Sequence, residues 1–389
     1  MEVNEASARY VRVVGYKQTE VGVIPEDWSL RQLGDVVTFL DGRRRPVKDA
    51  DRAKMRGSIP YYGASGIVDY VNDYLFDEDL ILLGEDGENI LSRNCHLVFR
   101  ISGKAWVNNH AHVLKPNPNV SIGFLTGYLE SLNYERFNSG TAQPKLNKQT
   151  CVGIPVALPP TKAEQEAIAE ALSDADALIE SLEQLLVKKR RIKQGAMQEL
   201  LTGKRRLPGF SGEWVVKQLG ETAHIKTGSR NNQDKVENGE YPFFVRSATV
   251  ERINCYSLDC EAILVPGEGG IGSIFHYITG RFDVHQRVYA ITQFSPDVSG
   301  KYVYLYMTVH FGAHAMQNSV KATVDSLRLP TFQEFEIALP PTLEEQTAIA
   351  TILSDLDAEI AALEEKLAKA RNLKQGMMQE LLTGRIRLV

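Results

Sequence analysis

Leu158-Pro159-Pro160-Thr161 recurs as Leu339-Pro340-Pro341-Thr342, and the match continues without a gap for about fifty residues. Each copy carries Lys-Gln-Gly and closes on Leu-Leu-Thr-Gly. Roughly two-thirds of the paired positions are identical, which marks an internal repeat. The segments before and between the copies barely resemble each other. The chain therefore alternates variable and constant parts, and we expect one kind of support that carries two different heads.

Both constant segments carry the signals of a long helix. The Pro-Pro pair ends any preceding strand, and the threonine after it stands at the N-cap position. Glu164 and Glu345, three residues further on, give the capping-box spacing. A Thr-Gly pair supplies the stop at the other end. Helices are predicted from about residue 162 to 201 and from about residue 343 to 382, each on the order of 60 Å long.

Each predicted helix has an apolar stripe with the four-three spacing of a coiled-coil seam. The second helix of the same chain is the partner that costs least chain entropy, so we expect the two to pair. An antiparallel pair would place the heads at opposite ends, whereas the alternative, a parallel pair, requires the chain to cross the full length of the helices. Leu182 and Leu363 should be buried between the helices. The residues expected to make the pairing contacts are Ile168, Leu172, Ile179, Leu182, Leu186, Ile349, Leu353, Ile360, Leu363 and Leu367.

Each variable segment opens with a similar tryptophan-containing stretch, which includes Trp28 in the first and Trp214 in the second. Short runs of β-forming residues follow, separated by Gly, Asn and Asp, with one short helix in each segment. The predicted fold class is α+β, with two similar globular heads separated by a long antiparallel two-helix coiled coil and related by a pseudo-twofold internal repeat. The predicted parts are an N-terminal extension (1–20), a first head (21–157), a first helix (158–207), a second head (208–338) and a second helix (339–389).

Composition narrows the class of protein. Apolar residues make up 43% and charged residues 24% of the 389 residues, as in an ordinary globular protein. A net charge of −5 argues against a free-standing, non-specific nucleic-acid coat protein, because such binding comes mostly from phosphate neutralisation. If DNA is the ligand, a partner should help to bind it.

Two further features of the sequence concern location and metals. There is no run of about 18 apolar residues and no apolar segment near Met1, so we expect neither export nor a membrane span. The four cysteines show no zinc-ligand spacing, which indicates reduced thiols, a cytoplasmic location and no metal.

The loops of both heads are rich in side chains that can read base edges and phosphates. For any one of them a polar surface loop is the plain alternative, and the hypothesis rests on their concentration in the part that differs between the heads. The basic runs Lys188–Arg191 and Lys204–Arg206 could also face phosphate, or could be solvated ends of a helix. The candidate DNA-binding residues are Arg43, Arg44, Arg45, Tyr62, Asn108, Asn109, Gln143, Lys145, Asn147, Lys148, Arg230, Asn231, Asn232, Gln233, Arg246, Gln286, Arg287, Lys321 and Thr323.

Patterns that suggest catalysis do not hold up. The stretch Gly267–Gly272 matches a dinucleotide-binding fingerprint, but the residues after it read as a strand and not as the helix that would hold a pyrophosphate. The pairs Asp283 with His285 and Asp259 with Glu261 have no partner motif for acid-base or metal chemistry. We therefore predict a protein that is not an enzyme.

Several stretches resemble the specificity (S) subunit of type I restriction-modification systems. They are residues 16–28, residues 142–148, and the Leu-Pro-Pro-Thr-x-x-Glu-Gln pattern at 158 and 339. The resemblance covers nearly the whole chain from about Tyr16. It implies two target recognition domains, each reading one half of a split, asymmetric DNA sequence. It also implies that two modification (M) subunits bring S-adenosylmethionine and adenine N6-methylation, that restriction (R) subunits bring ATP-driven cleavage, and that this chain itself binds no cofactor.

The family motif is present in the first head but not at the corresponding place in the second. Residues 143–148 match the family motif, whereas Thr323–Leu327 stand in the second head where the first has Gln143–Asn147. A rod on the order of 60 Å spans about 17 base pairs, so helix length would set the length of the unread spacer. The alternatives are a stand-alone S-like DNA-binding protein and, more remotely, a nucleotide-dependent enzyme that uses the Gly267 loop.

Overall fold

The computed structural model describes residues 15–140, 143–318 and 326–388. The chain forms two compact units: unit 1 comprises Met1–Glu183 with Lys366–Val389, and unit 2 comprises Gln184–Glu365. The boundary between them falls inside both long helices. Each unit therefore contains one head and one half of each long helix. No helix in the described part of the chain has the length and apolar content needed to cross a membrane.

The secondary structure follows the predicted alternation of mixed heads and long helices. The helices are α1 (Leu33–Val36), α2 (Asp49–Arg52), α3 (Asn89–Ser92), α4 (Ile122–Ser131), α5 (Lys148–Val152), α6 (Lys162–Leu200), α7 (Leu219–Thr222), α8 (Gly300–Asn318), α9 (Leu329–Gln333) and α10 (Leu343–Leu381). The strands are β1 (Tyr16–Thr19), β2 (Gly22–Pro25), β3 (Ser29–Gln32), β4 (Val37–Phe39), β5 (Arg56–Gly63), β6 (Gly66–Val71), β7 (Phe76–Asp77), β8 (Leu80–Gly84), β9 (Val98–Ile101), β10 (Lys104–Val107), β11 (Ala111–Pro116), β12 (Pro155–Leu158), β13 (Val215–Gln218), β14 (His224–Thr227), β15 (Tyr241–Phe244), β16 (Val250–Ile253), β17 (Leu258–Pro266), β18 (His276–Val284), β19 (Val288–Thr292) and β20 (Glu336–Leu339).

The first head is built on two four-stranded sheets. Their strand orders are β6-β5-β10-β7 and β4-β11-β8-β9. The whole of β8 is buried, which explains its uninterrupted apolar sequence. Strands β3 and β12 pair with each other, so the head begins and ends side by side next to the start of α6.

The second head repeats this arrangement in one six-stranded sheet, ordered β14-β19-β17-β18-β15-β16. Strand β18 is antiparallel to β17 and parallel to β15. In the first head these two roles belong to separate strands, β9 and β10, because the chain turns at Gly103, whose φ of +71° favours glycine. The same connections recur in both heads, and the predicted internal repeat is confirmed.

The two long helices run antiparallel to each other within each unit. In unit 1, Asp176 and Glu183 of α6 pair with Lys374 and Arg371 of α10. The order is again reversed in unit 2, where Lys189 pairs with Glu359 and Lys193 with Asp357. The antiparallel prediction is confirmed within each unit, and the parallel alternative is wrong there.

The basic run at residues 188–191 lies inside α6 and not at its end. Lys189 and Arg190 in this run pair with Glu359 and Glu364 of α10. The interpretation as a solvated helix end is therefore wrong for these two residues.

Burial along the helical stripe is uneven. Four of the ten predicted pairing residues, Ile168 and Leu172 in unit 1 and Ile349 and Leu353 in unit 2, pack into the cores of the heads. The expectation that Leu182 and Leu363 are buried is wrong, because both are half-buried. Two helices alone cover only one side of a seam residue. The remaining members are the buried Leu186 and Leu367 and the half-buried Ile179 and Ile360.

The capping-box glutamates serve a different purpose from the one predicted. Thr161 and Thr342 do cap α6 and α10, each accepting the backbone N–H three residues on. The carboxylate of Glu345, however, is held by Arg206 at 2.5 and 2.7 Å, where a capping box would turn it back to the N-cap backbone. Glu164 is held in the same way by Arg387, which also binds Asp27 at 2.9 and 3.0 Å. We name these two contacts the arginine clasps.

The glutamine after each clasp glutamate ties its helix to the head. Gln165 Oε1 accepts the N–H of Ser121, the N-cap residue of α4, at 2.8 Å. Gln346 Oε1 accepts the N–H of Ser299, just before α8, at 2.9 Å. The repeated Glu-Gln pair is therefore explained by two different structural contacts, one for each side chain.

Candidate nucleic-acid interface

Loops from several strands of the first head converge beside the end of β8. The N–H of Glu85 donates to the carbonyl of His110 at 2.8 Å, and the N–H of Leu146 donates to the carbonyl of Glu85 at 2.7 Å. The N–H of Asn108 donates to the carbonyl of Tyr62 at 3.0 Å, and that of Arg45 to Val107 at 3.2 Å. These bonds hold in one cluster, which we name the loop frame, the four separately predicted segments around residues 45, 62, 108 and 146 together with Glu85, which was not predicted.

The second head contains the same loop frame. Gly267 N–H donates to Arg287 at 2.8 Å, and Leu327 N–H donates to Gly267 at 2.8 Å. His285 N–H donates to Phe244 at 3.0 Å, and Arg230 N–H to Val284 at 3.3 Å. Each bond has its counterpart in the first head, although the side chains at these positions differ.

The turn that follows β10 and β18 is built in the same way in both heads. In the first head, Asn108 Oδ1 accepts the backbone N–H of His110 at 2.8 Å. In the second head, His285 Nδ1 accepts the N–H of Arg287 at 3.0 Å, so the proton of this imidazole lies on Nε2. Burial also lowers the pKa of His285, which favours this neutral form. The residue between them, Asn109 or Gln286, is exposed.

The motif at residues 143–148 anchors the first loop frame. Leu146 is fully buried, and Asn147 caps α5 by accepting the Thr150 N–H at 2.8 Å. Lys145 lies 3.3 Å from the carboxylate of Glu85. The side-chain oxygen of Asn147 is therefore already engaged in capping α5, whereas Gln143 at the start of the motif is exposed.

A charged histidine lies beneath this anchor. His112 Nδ1 donates to Asp41 at 2.8 Å and Nε2 donates to the Leu146 carbonyl at 2.8 Å, so both ring nitrogens face acceptors and the ring carries a positive charge. Burial alone would lower the pKa of His112, but the hydrogen bond to Asp41 raises it to about 10. Burial would likewise raise the pKa of Asp41, but the hydrogen bonds from His112 and Val113 hold it below its ordinary value.

In the second head, an uncharged tyrosine contacts the backbone carbonyl that corresponds to that of Leu146. Tyr289 stands opposite Val265 in the sheet, as His112 stands opposite Leu83, and its hydroxyl lies 3.5 Å from the Leu327 carbonyl. Isolated bridges join Asp86 to Lys145 and Glu268 to Ser326. Ser326 therefore corresponds to Lys145, and the sequence pairing of Thr323–Leu327 with Gln143–Asn147 was wrong by one residue.

Most of the predicted DNA-binding cations are paired with carboxylates. In the first head, Arg43 binds Glu78 at 3.0 Å and Arg44 binds Glu85 at 2.7 Å. In the second head, Arg230 binds the buried Asp283 at 3.0 Å. Arg246 and Arg287 share Glu268, each at 3.2 Å, and His110 makes the matching contact with Asp86 in the first head. Arg44 is only 13% exposed and Asp283 is fully buried, so Arg44 and Arg230 have structural contacts that DNA binding would have to break.

The other candidates range from buried to exposed, and Asn108 is only 7% exposed. Tyr62 packs against Phe99, Lys148 lies 5.5 Å from the ring centre of Phe39, and Asn231 accepts from the Gln286 side chain. Lys321 and Thr323 lie outside the described residues. The exposed candidates without a side-chain partner among the described residues are Arg45, Asn109, Gln143, Asn232 and Gln233.

The patterns that resemble catalytic motifs are structural. No helix follows Gly267–Gly272, which leads through a turn into β18 at His276. The carboxylate of Asp283 accepts hydrogen bonds from Arg230 and Ser257, so both of its oxygens are used in structural contacts. No group of three or more His, Cys, Asp or Glu side chains suited to a metal occurs within residues 15–140, 143–318 and 326–388.

Three residues that position the loop frame were not predicted from the sequence. Asp41, Glu85 and His112 lie far apart in the chain, and the hydrogen bond between Asp41 and His112 spans 71 residues. The one available signal was a single histidine in the apolar run of β11. A polar residue at a buried strand position requires a partner, but the sequence does not say which one.

Two heads with one loop frame and different exposed side chains define a recognition protein with two related binding surfaces. A family model for the type I restriction modification DNA specificity domain matches residues 25–188 and again residues 211–371. These matches cover most of the chain, which therefore belongs to the family of type I restriction-modification DNA specificity subunits.

The chain is similar to known members of this family along different shares of their length. It is 35% identical to a putative type I restriction enzyme specificity subunit of Haemophilus influenzae over 138 residues, which span 36% of this chain and only 35% of that relative. It is 25% identical to the MjaVIII specificity subunit of Methanocaldococcus jannaschii over 416 residues, 94% of both chains. The crystal structure of an S subunit from M. genitalium matches with a TM-score of 0.68 at 15% identity, over 91% of this chain and 96% of that one, and shows the shared fold.

Proposed function

We propose that this chain is the sequence-recognition subunit of a type I restriction-modification complex, in which each head reads one half of a bipartite, asymmetric DNA site. The repetition of the loop frame carries the proposal. The backbone bonds of the frame recur in both heads, while the exposed side chains on it differ: Asn109 and Gln143 in the first head against Gln286 and Gln233 in the second. Amide and guanidinium groups read base edges, so two loop frames that carry different exposed side chains would read two different half-sites.

The proposal assigns the chemistry to partner subunits. Two M subunits would bring S-adenosylmethionine and methylate adenine, R subunits would bring ATP-driven cleavage, and this chain would bind neither cofactor. The charge supports shared DNA binding, because the net charge is −5 and many loop cations are already paired with carboxylates. An exposed ion pair contributes about 0–1 kcal/mol, so a phosphate can displace the carboxylate from Arg43 or Arg287. The proposal places the complex in the cytoplasm, with cellular DNA.

Exchanging one head tests the proposal. Residues 209–336 are replaced by the corresponding head of a relative, and methylated adenines are mapped in the genomic DNA of cells that carry the original or the chimeric chain. One half-site should change while the other stays the same, because the loop frames are separate. A change in both half-sites together would contradict the assignment of one half-site to each head.

A second experiment separates the complex from the stand-alone alternative. The chain is purified from its own cells, and any methyltransferase that accompanies it is identified by mass spectrometry. Co-purification, together with adenine methylation that depends on this chain, supports the complex. A chain that binds a bipartite DNA site without a methyltransferase, in cells whose methylation does not depend on it, is a stand-alone binding protein.

A further inference from the structure

The hairpin β5–β6 of the first head contains a bulge at the edge of the loop frame. Tyr62 pairs with Ile67 and Tyr61 with Asp69, so Val68 is an extra residue in β6. The corresponding hairpin of the second head has no such shift, because Phe244 pairs with Val250 and Phe243 with Glu251. Bulges leave one residue unpaired and change the direction of its side chain, and they are frequent next to functional sites.

The bulge leaves an apolar side chain on the surface. Val68 is 59% exposed and its neighbour Ile67 is 49% exposed. The hairpin turn reaches the loop frame, since the carbonyl of Ala64 would lie 2.7 Å from a Cβ added at Gly84. A single exposed valine needs no explanation, but this one lies in the hairpin at the edge of the loop frame.

Val68 lies beside a hydrogen-bond donor of Asn108, a buried residue that is only 7% exposed. A Cβ at Gly63 would meet Val68 Cγ2 at 2.7 Å and Asn108 Nδ2 at 3.4 Å, so the methyl group and the amide flank the same backbone position. Asn108 Oδ1 is occupied by the N–H of His110. Its Nδ2 has no acceptor within the described ranges, and the absence of a side chain at Gly63 lets the Val68 methyl group approach this backbone position.

An adjacent methyl group and donor match one base edge in the major groove. Thymine presents its C5-methyl group next to the O4 acceptor, whereas adenine and guanine lack the methyl group and cytosine presents a donor. We propose that Val68 and Asn108 Nδ2 together read a thymine in the half-site bound by the first head. This inference rests on the proposed function and names a base that the first head selects.

The second head lacks each part of this arrangement. Its counterpart of Asn108 is His285, its counterpart of Gly63 is Val245, and it has no bulge. Thymine selection by this pair of groups is therefore confined to one half-site.

Replacing thymine by uracil, which removes only the methyl group, tests the inference. The complex purified with its methyltransferase is bound to duplexes that carry the mapped site, with each thymine of both half-sites replaced in turn. One substitution should weaken binding by the original complex about fourfold, the factor expected when one methyl group leaves an apolar contact. Val68→Ala should weaken binding to the thymine duplex by a similar factor, and for that variant the same uracil substitution should have no further effect.

The control is Val23→Ala, which removes the same atoms from a strand valine of unit 1 that is 48% exposed and outside the frame. It should leave binding and the uracil effects unchanged. If Val68→Ala binds as tightly as the original, or if its effect adds to that of uracil at every position, the inference is overturned. Those outcomes leave the proposed function intact, whereas the absence of any chain-dependent bipartite methylation would remove the proposed function itself.

Discussion

Glu345 illustrates how a single residue of the constant segments is used. Its side chain is fully buried, and Arg206 holds both carboxylate oxygens. A buried ion pair is costly to form, but removal of one partner costs more because the remaining charge stays in a poorly solvated place. The two arginine clasps therefore make Arg206 and Arg387 intolerant of truncation.

We predict that Arg206→Ala lowers the stability of unit 2 by about 3 kcal/mol. Chemical denaturation followed by tryptophan fluorescence measures this change, and Trp214, whose ring centre lies 5.9 Å from Arg206, reports on the clasp directly. The matched control is Arg205→Ala, because Arg205 is 74% exposed and its side chain pairs, among the residues that the structure describes, only with the exposed Glu199. Equal stabilities of the two variants would show that the clasp contributes nothing.

A second prediction at this scale concerns pH and His112. Its pKa in the folded protein is raised to about 10, above the ordinary 6.5. The stabilisation by the charged ring is therefore complete below about pH 6.5 and is lost as the pH rises towards 10. His112→Gln should flatten the decline in the stability of unit 1 across this range, measured by denaturation at several pH values. A decline of the same slope in the variant would assign the pH dependence to other groups.

At the scale of elements, the long helices show where burial is concentrated. Leu186 is 7% exposed, while Leu182, one turn earlier on the same stripe, is half-buried. Leu186→Ala should therefore cost about 2–4 kcal/mol in stability and Leu182→Ala distinctly less. Denaturation of the two variants side by side measures the difference, since the same atoms are removed in each. The opposite order would show that the accessible surface does not report the packing of this stripe.

The helices and the loop frame differ in how far sequence could predict them. The ends of α6 and α10 lie within a residue of the prediction, because caps, stripe and stop are local signals. The pairing of Arg44 with Glu85, or of Arg230 with Asp283, joins residues 41 and 53 positions apart, and no local pattern contains it. The β-bulge at Val68 was missed for the same reason, because a register shift depends on the partner strand.

At the scale of the whole molecule, we propose that the length of the two long helices sets the length of the unread DNA spacer between the half-sites. Inserting one heptad between residues 183 and 184 of α6 and another between residues 365 and 366 of α10 leaves each compact unit intact. Seven helical residues add about 10 Å, which corresponds to about three base pairs. The mapped methylation site should gain a spacer of about that length with both half-sites unchanged.

The control for this prediction is an insertion in α6 alone. It shifts Lys189 and Lys193 away from Glu359 and Asp357 and should destabilise the protein without giving a defined new site. An unchanged spacer in an active double-insertion protein would show that the helices do not set the distance.

The division of the chain also has a consequence for its synthesis. Unit 2 is continuous from Gln184 to Glu365, whereas unit 1 needs Lys366–Val389 to complete it. The clasp between Glu164 and Arg387 joins residues 223 positions apart, and Leu381 and Leu382 complete the core that contains Ile168 and Leu172. During translation, the core of the first head therefore stays partly uncovered until residues 366–389 have been made. The second head has its complete sequence earlier and can fold first, because contacts between residues distant in sequence form last. The head that the ribosome makes second should be the first to finish folding.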